Sequence, residues 1–135
     1  MIKKILHIRG GVMPVANPLS VYIHQVESSL SQGQATEHTH RPALKTLVES
    51  LHTAIQAINE PKHVACGAPD FLITQTSAAG SLILGYIETK DVGIGLDQLD
   101  RSDQLKRYLS GLRNLILTDY LDFRWYVDGD LRQSA

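Results

Sequence analysis

The sequence predicts an α/β protein, in which helices pack on one mixed β-sheet of the α+β kind. Three observations predict it. Apolar residues recur at helical spacing from Leu44 to Ile58. Apolar runs of strand length follow at SLILGYI, NLILTDY and DFRWYV. Between the first and second of those runs lies another amphipathic segment, SDQLKRYLSGL, which predicts a helix joining two strands.

The elements are expected in the order α, α, β, β, β, α, β, β. Residues 1–16 are expected to form a flexible leader, with Met13 before PVANPLS as a natural start, and residues 17–135 a single domain. Asn17 followed by Pro18 is a cap-plus-first-turn signal, and Val21, Ile23, Val26 and Leu30 continue it as a short helix that SQGQ ends. Leu44, Leu47, Val48, Leu51, Ile55 and Ile58 share one face of a second helix, with Pro42 in its first turn and its end near Asn59, at NEPK. HVACGAPDFLITQ reads as two short extended pieces around Gly67–Pro69, and SAAG as a turn. SLILGYIETK is a strand and VGIGLDQLD a loop. Ser102 caps the helix SDQLKRYLSGL, and Gly111 terminates it. The Asp-Gly pair at 128–129 closes the last strand with a turn.

Bulk properties narrow the function classes. With 135 residues, 43% hydrophobic and 20% charged, the chain has enough material for one core. No apolar run approaches the roughly eighteen residues of a membrane span. A single cysteine, Cys66, excludes an intrachain disulfide and a multi-cysteine zinc site, and fits the cytoplasm. The net charge of −1 lacks the basic excess by which most nucleic-acid binders hold phosphates, so tight DNA binding would draw on other domains.

The stretch GYIETKD ends a buried strand with an acid and a base two residues apart. In a strand Glu88 and Lys90 project from one face, which Tyr86, Leu84 and Leu82 would share. GAPDFLI places Asp70 at the start of another strand. Two neighbouring strand ends carrying Asp70, Glu88 and Lys90 would bring two carboxylates and an amine together. Metal-assisted phosphodiester hydrolysis needs that trio: hard oxygens hold Mg²⁺, and the lysine steadies water or developing charge. In QLKRY, Gln104 and Tyr108 stand four apart, on one helical face. Each piece alone reads equally well as a turn start or a solvated strand end.

Together, GAPD at 67–70, ETK at 88–90 and QLKRY at 104–108 resemble the three successive motifs of the PD-(D/E)xK nuclease superfamily. The match is closest to its branch with a Gln-x-x-x-Tyr helix, as in RecB-like nucleases. The resemblance spans about residues 36–127 and implies a restriction-endonuclease-like αβββαβ core. In wording, TEHTHRPALKTL, NEP, GAPDF, YIETKD and NLILTDYLDFRWYVDGDLR are similar to the N-terminal nuclease domain of single-chain restriction–modification polypeptides of type ISP and their relatives. Those chains also carry helicase and adenine-methyltransferase parts, so this stretch is expected to be the N-terminal piece of a longer polypeptide.

The resemblance implies a DNA endonuclease using Mg²⁺, or Mn²⁺ as a substitute. Asp70 and Glu88 would be metal ligands with the Thr89 carbonyl, Lys90 the catalytic lysine, and Gln104 and Tyr108 residues that orient it or touch DNA. The superfamily often adds a glutamate from the first core helix. Carrying the helical wheel back from Leu44 puts Glu37 in the apolar sector and Glu49 opposite, which favours Glu37. Glu60 in NEPK is a secondary candidate. Cutting both strands would require two sites, from a dimer or from two meeting complexes.

Other readings compete. A catalytically inactive nucleic-acid-binding module would keep the fold without the chemistry, and a histidine–metal hydrolase would use His38 and His40. Cys66, in VACGA, reads as buried and inert. Phe123, Trp125 and Tyr126 are either base-stacking or core residues, and Lys106, Arg107, Arg113 and Arg124 either phosphate contacts or solvated charges.

Overall fold

The computed structural model describes residues 16–99 and 101–135 in full and the backbone of 5–8 and 11–14. The expected leader otherwise lies outside the described residues. Within it, β1 (Ile5–Ile8) and β2 (Gly11–Pro14) pair antiparallel as a hairpin. The main sheet has six strands in sequential order: β3 (Ile55–Asn59), β4 (Phe71–Ser77), β5 (Gly80–Thr89), β6 (Asn114–Thr118), β7 (Phe123–Val127) and β8 (Asp130–Ser134). Every neighbouring pair in it is antiparallel except β5 and β6, which run parallel.

Helices cover both faces. Helix α1 (Pro18–Ser31) and helix α2 (Arg41–Glu49) pack on one through a core of Tyr22, Val26, Leu44, Phe71, Ile87 and Tyr120. On the other, the short α3 (Leu96–Leu99) and α4 (Asp103–Gly111) pack through Leu96, Leu105, Tyr108, Leu115, Leu117 and Tyr126. α2, β3, β4, β5, α4 and β6 make up the expected αβββαβ core. Both predicted caps are present: Asn17 Oδ1 accepts from Leu19 N at 2.9 Å, and Ser102 Oγ accepts from Leu105 N at 3.2 Å.

Several elements depart from the sequence expectation, each for a physical reason. The second helix stops at Glu49, and Ile55 and Ile58 belong to β3, not to its tail. IQAIN satisfies a two-residue period as well as a helical one, and pairing Ala57 with Ile73 across β4 gives the strand a partner. Leu51, 72% exposed, lies in the intervening turn, where His52 Nδ1 accepts from Ala54 N. Lys45 and Glu49 reach from α2 to the carbonyl and the N–H of Ala57, so Glu49 ties helix to strand. The leading extended piece of HVACGAPDFLITQ is a single bridge between Val64 and Gly67.

A bulge breaks the face expected for β5. Ile73 pairs with Gly85 but Thr74 with Ile83, which leaves Leu84 as the extra residue. Leu84 therefore joins the core under α1 and α2, while Tyr86 packs under α4. The buried anchor of α1 is Tyr22, whose hydroxyl donates to Tyr120 O at 2.6 Å; Val21 and Leu30 are exposed. LDQL forms α3 inside the expected loop. The Asp128–Gly129 turn, both residues at positive φ, leads into β8, an exposed edge strand.

Candidate active site

β4 and β5 deliver the first residues of the site. Phe71 pairs with Ile87, so Asp70, just before β4, lies beside the last two residues of β5, Glu88 and Thr89. Thr89 donates to Asp70 Oδ2 from its N–H and from its hydroxyl. Lys90 follows the strand, its N–H bonded to Thr118 O at 2.8 Å across the parallel pair. From the same side as Glu88, its Nζ donates to Glu88 Oε1 and to Gln104 Oε1, each at 2.9 Å. Gln104 Nε2 in turn reaches Tyr108 OH at 3.5 Å. Of the residues singled out in the sequence, Asp70, Glu88, Thr89, Lys90, Gln104 and Tyr108 thus form one connected cluster.

Gly67 sets the near wall of this cluster. Its φ is +134°, and a Cβ there would stand 2.9 Å from Tyr108 Cε1. Only a glycine lets the loop approach the Tyr108 ring this closely.

Charge in the cluster is unbalanced. Glu88 is 5% exposed, and its Oε2 is buried with no hydrogen-bond partner. Burial first, and the Asp70 charge second, raise the Glu88 carboxyl above the usual carboxylate range, against the pull of Lys90. Burial, followed by Glu88, likewise raises the Tyr108 phenol. An unpartnered carboxylate oxygen beside a second carboxylate has the donor chemistry that a hard cation takes. Mg²⁺ suits it, because that ion is held by one or two carboxylates with waters and phosphate oxygens completing its shell. Among the described residues no three of His, Cys, Asp and Glu form a ready-made all-protein cage. The donors present fit Mg²⁺ through Asp70 and Glu88.

The other face of Asp70 belongs to Arg41, which the sequence reading missed. Arg41 Nη2 pairs with Asp70 Oδ1 and, at 3.2 Å, with Glu37 Oε1, while Nη1 meets Glu60 Oε1 at 3.3 Å. Burial alone would lower the Arg41 pKa, but Asp70, Tyr120 and Glu37 outweigh it and raise the guanidinium. Glu37 reaches Asp70 through this arginine. It does not lie on the wheel of α2, because residues Glu37–His40 form a separate 3₁₀ turn ahead of it. Its carbonyl accepts from Tyr120 OH, a phenol that burial pushes up to about 12. The available signal for Arg41 was its place four residues after Glu37.

The remaining candidates separate. His38 is exposed, whereas His40 is buried against the Tyr120 ring at 5.0 Å and its pKa is lowered by that burial. Phe123 packs beside Tyr22 and Tyr126 under α4, leaving Trp125 as the outward aromatic. Arg124 pairs with Asp97 and Asp122, and Arg113 stands 4.0 Å from Asp128. Lys106, Arg107 and Arg113 line a cavity of about 720 Å³ together with Cys66, which is half-buried. No helix among the described residues is long and apolar enough to cross a membrane.

No protein-family model and no curated protein matches the chain. Among solved structures it is similar to a chain in the cryo-EM structure of the DrdV–DNA complex, with a TM-score of 0.67 and 20% identity over 87% of its own length. It spans 12% of the length of that chain. At this identity the likeness is one of fold, and the six-stranded mixed sheet flanked by helices is the restriction-endonuclease-like architecture.

Proposed function

We propose that this chain is a nuclease domain that hydrolyses DNA phosphodiester bonds with Mg²⁺ as cofactor, of the PD-(D/E)xK type and the Gln-x-x-x-Tyr branch. The observation that carries the reading is the convergence of Asp70, Glu88 and Lys90, with the buried Glu88 Oε2 left unpartnered. DNA as substrate draws support from the fold shared with a chain of a DNA complex. That chain is far longer than this one, in keeping with a cleavage module inside a restriction–modification polypeptide that also carries helicase and methyltransferase domains.

When bound, Mg²⁺ polarises the phosphoryl oxygen and acidifies nearby water, which is the chemistry the protein groups lack. Asp70 and Glu88 would hold the cation with the Thr89 carbonyl, and Thr89 fixes one oxygen of Asp70 so that the carboxylate keeps its orientation. Glu37, tied to Asp70 through Arg41, completes the acidic surround on the helix side. Lys90 donates to the attacking water and to the charge that develops on phosphorus oxygens. Gln104, backed by Tyr108, holds the ammonium on that line. In-line attack leaves a 5′-phosphate, and cutting both strands takes two such domains.

The test is nicking of supercoiled plasmid by the purified protein, with Mg²⁺ or with chelator. The parent cleaves only with the metal, while Asp70→Asn and Lys90→Ala lose at least about a hundredfold and keep the far-UV spectrum of the parent. Undiminished, chelator-sensitive cleavage by either variant overturns the reading.

A further inference from the structure

We infer that the cavity behind Asp70 is a subsite for a phosphate of the nucleic-acid backbone, in which Arg41 is the receiving cation and the Glu60 carboxylate a placeholder that the phosphate replaces. The nature of the ligand rests on the nuclease reading above; the geometry of the seat does not.

The cavity is about 360 Å³, and His38, Arg41, Lys45 and Glu60 are among its lining residues. Three of these four carry nitrogen donors. Arg41 divides its guanidinium between two surroundings. Nη2 is held by Asp70 and Glu37, both largely shielded from water, and so belongs to the acidic cluster. Among the described residues Nη1 has only Glu60, at 3.3 Å. The Glu60 side chain is 76% exposed against 7% for Arg41, so one partner of this ion pair is loose and the other fixed. An ion pair with an exposed partner at that separation contributes little, because water screens it and the glutamate loses rotamer freedom to make it. Arg41 Nε is buried without a hydrogen-bond partner, so the guanidinium still has donor capacity unused.

Glu60 also stands in a conformation that does not suit it. Its φ is +50°, in the left-handed region where Gly or Asn is easier, and its N–H is held by Asp70 O at 2.8 Å. The backbone thus presents the carboxylate at the mouth of the cavity. A phosphodiester arriving there offers Nη1 a charged oxygen in place of one weakly held carboxylate oxygen, and a charge-assisted bond of that kind is a strong one. Glu60 then swings into the solvent it already faces. Since Nη2 stays on Asp70, the seated phosphate lies one guanidinium away from the catalytic carboxylate, fit to be a neighbour of the scissile one. Lys45, whose Nζ is shared with Glu49 and the Ala57 carbonyl, and the exposed His38 flank the seat.

The test is a double-mutant cycle in DNA binding, read by fluorescence anisotropy with a labelled duplex oligonucleotide lacking terminal phosphates. Chelator is present throughout, so neither metal nor cleavage contributes. Glu60→Gln is expected to tighten binding several-fold. Arg41→Gln is expected to weaken it about tenfold, to lower the salt slope by about one, and to abolish the gain from Glu60→Gln. Glu27→Gln removes an equal charge from the exposed face of α1 and is expected to change nothing. Where Arg41→Gln does not fold, Arg41→Lys takes its place, keeping the charge but not the paired donors. The inference is overturned if Glu60→Gln leaves affinity unchanged, if its gain survives intact without Arg41, or if Glu27→Gln matches it. Metal-dependent nicking by the parent judges the nuclease reading separately, so either conclusion can fail while the other stands.

Discussion

Thr89 donates twice to one oxygen of Asp70, from its backbone N–H at 2.8 Å and from its hydroxyl at 2.7 Å. The N–H bond does not depend on the side chain at 89, but the hydroxyl bond does. Thr89→Val keeps the β-branched shape and leaves Oδ2 with a single donor. The variant is expected to lose about 1–2 kcal/mol in urea unfolding, and to need more Mg²⁺ for half-maximal nicking. An unchanged Mg²⁺ requirement would mean that Thr89 does not orient Asp70.

Glu88 makes the site costly to fold. Its pKa is raised by burial and then by Asp70, so folding favours its protonated form more than the unfolded chain does. The sign follows: relative stability from this group is full below its unfolded value, near 4.5, and is lost as pH rises through the folded value. Glu88→Gln removes that loss. It is expected to be more stable than the parent by about 1 kcal/mol at neutral pH, with the difference fading towards about pH 4, while nicking disappears. A variant less stable than the parent at neutral pH would contradict this account.

Under the proposed nuclease reading, Gln104 acts by positioning Lys90, whose Nζ donates to its Oε1. Gln104→Leu leaves the ammonium with Glu88 as its one remaining protein acceptor among the contacts above. The turnover of bound DNA is expected to fall about tenfold with little change in affinity. Gln104→Glu restores an acceptor oxygen, and partial recovery there separates positioning from packing.

Gly67→Ala probes the same chain from its far end. The added methyl would meet the Tyr108 ring at 2.9 Å, at a φ of +134° that side chains avoid. The ring is buried, so the loop has to shift. A destabilisation of about 1–3 kcal/mol is expected in thermal unfolding, with a further loss of nicking per folded molecule. Full activity in the folded fraction would show that Tyr108 need not be held where it is.

How far the sequence could be read depended on the range of each interaction. Glu88 with Lys90, and Gln104 with Tyr108, are adjacent by the two-residue period of a strand and the four-residue step of a helix, so their pairing could be read locally. Their junction with Asp70 needed only that two strand ends meet. Arg41 was hidden because only its spacing from Glu37 is local, while its other partners come from positions 60 and 70. The end of α2 was hidden because IQAIN fits either period, and the choice was made by a partner strand twelve or more residues away. The bulge at Leu84 is likewise a property of two strands, not of one.

The parallel pairing of β5 with β6 has a consequence for how the proposed activity would be lost. Strands that run the same way need a crossover, and here the crossover is α4, which carries Gln104 and Tyr108 over the lysine. A neighbour running the opposite way would need only a tight turn and would leave the ammonium bare. Unzipping β5 from β6 therefore strips the lysine of its support in the same event. In a denaturant series, residual nicking and the fluorescence of the single tryptophan, Trp125 on β7, are expected to fall along one curve, with no inactive but folded species between them.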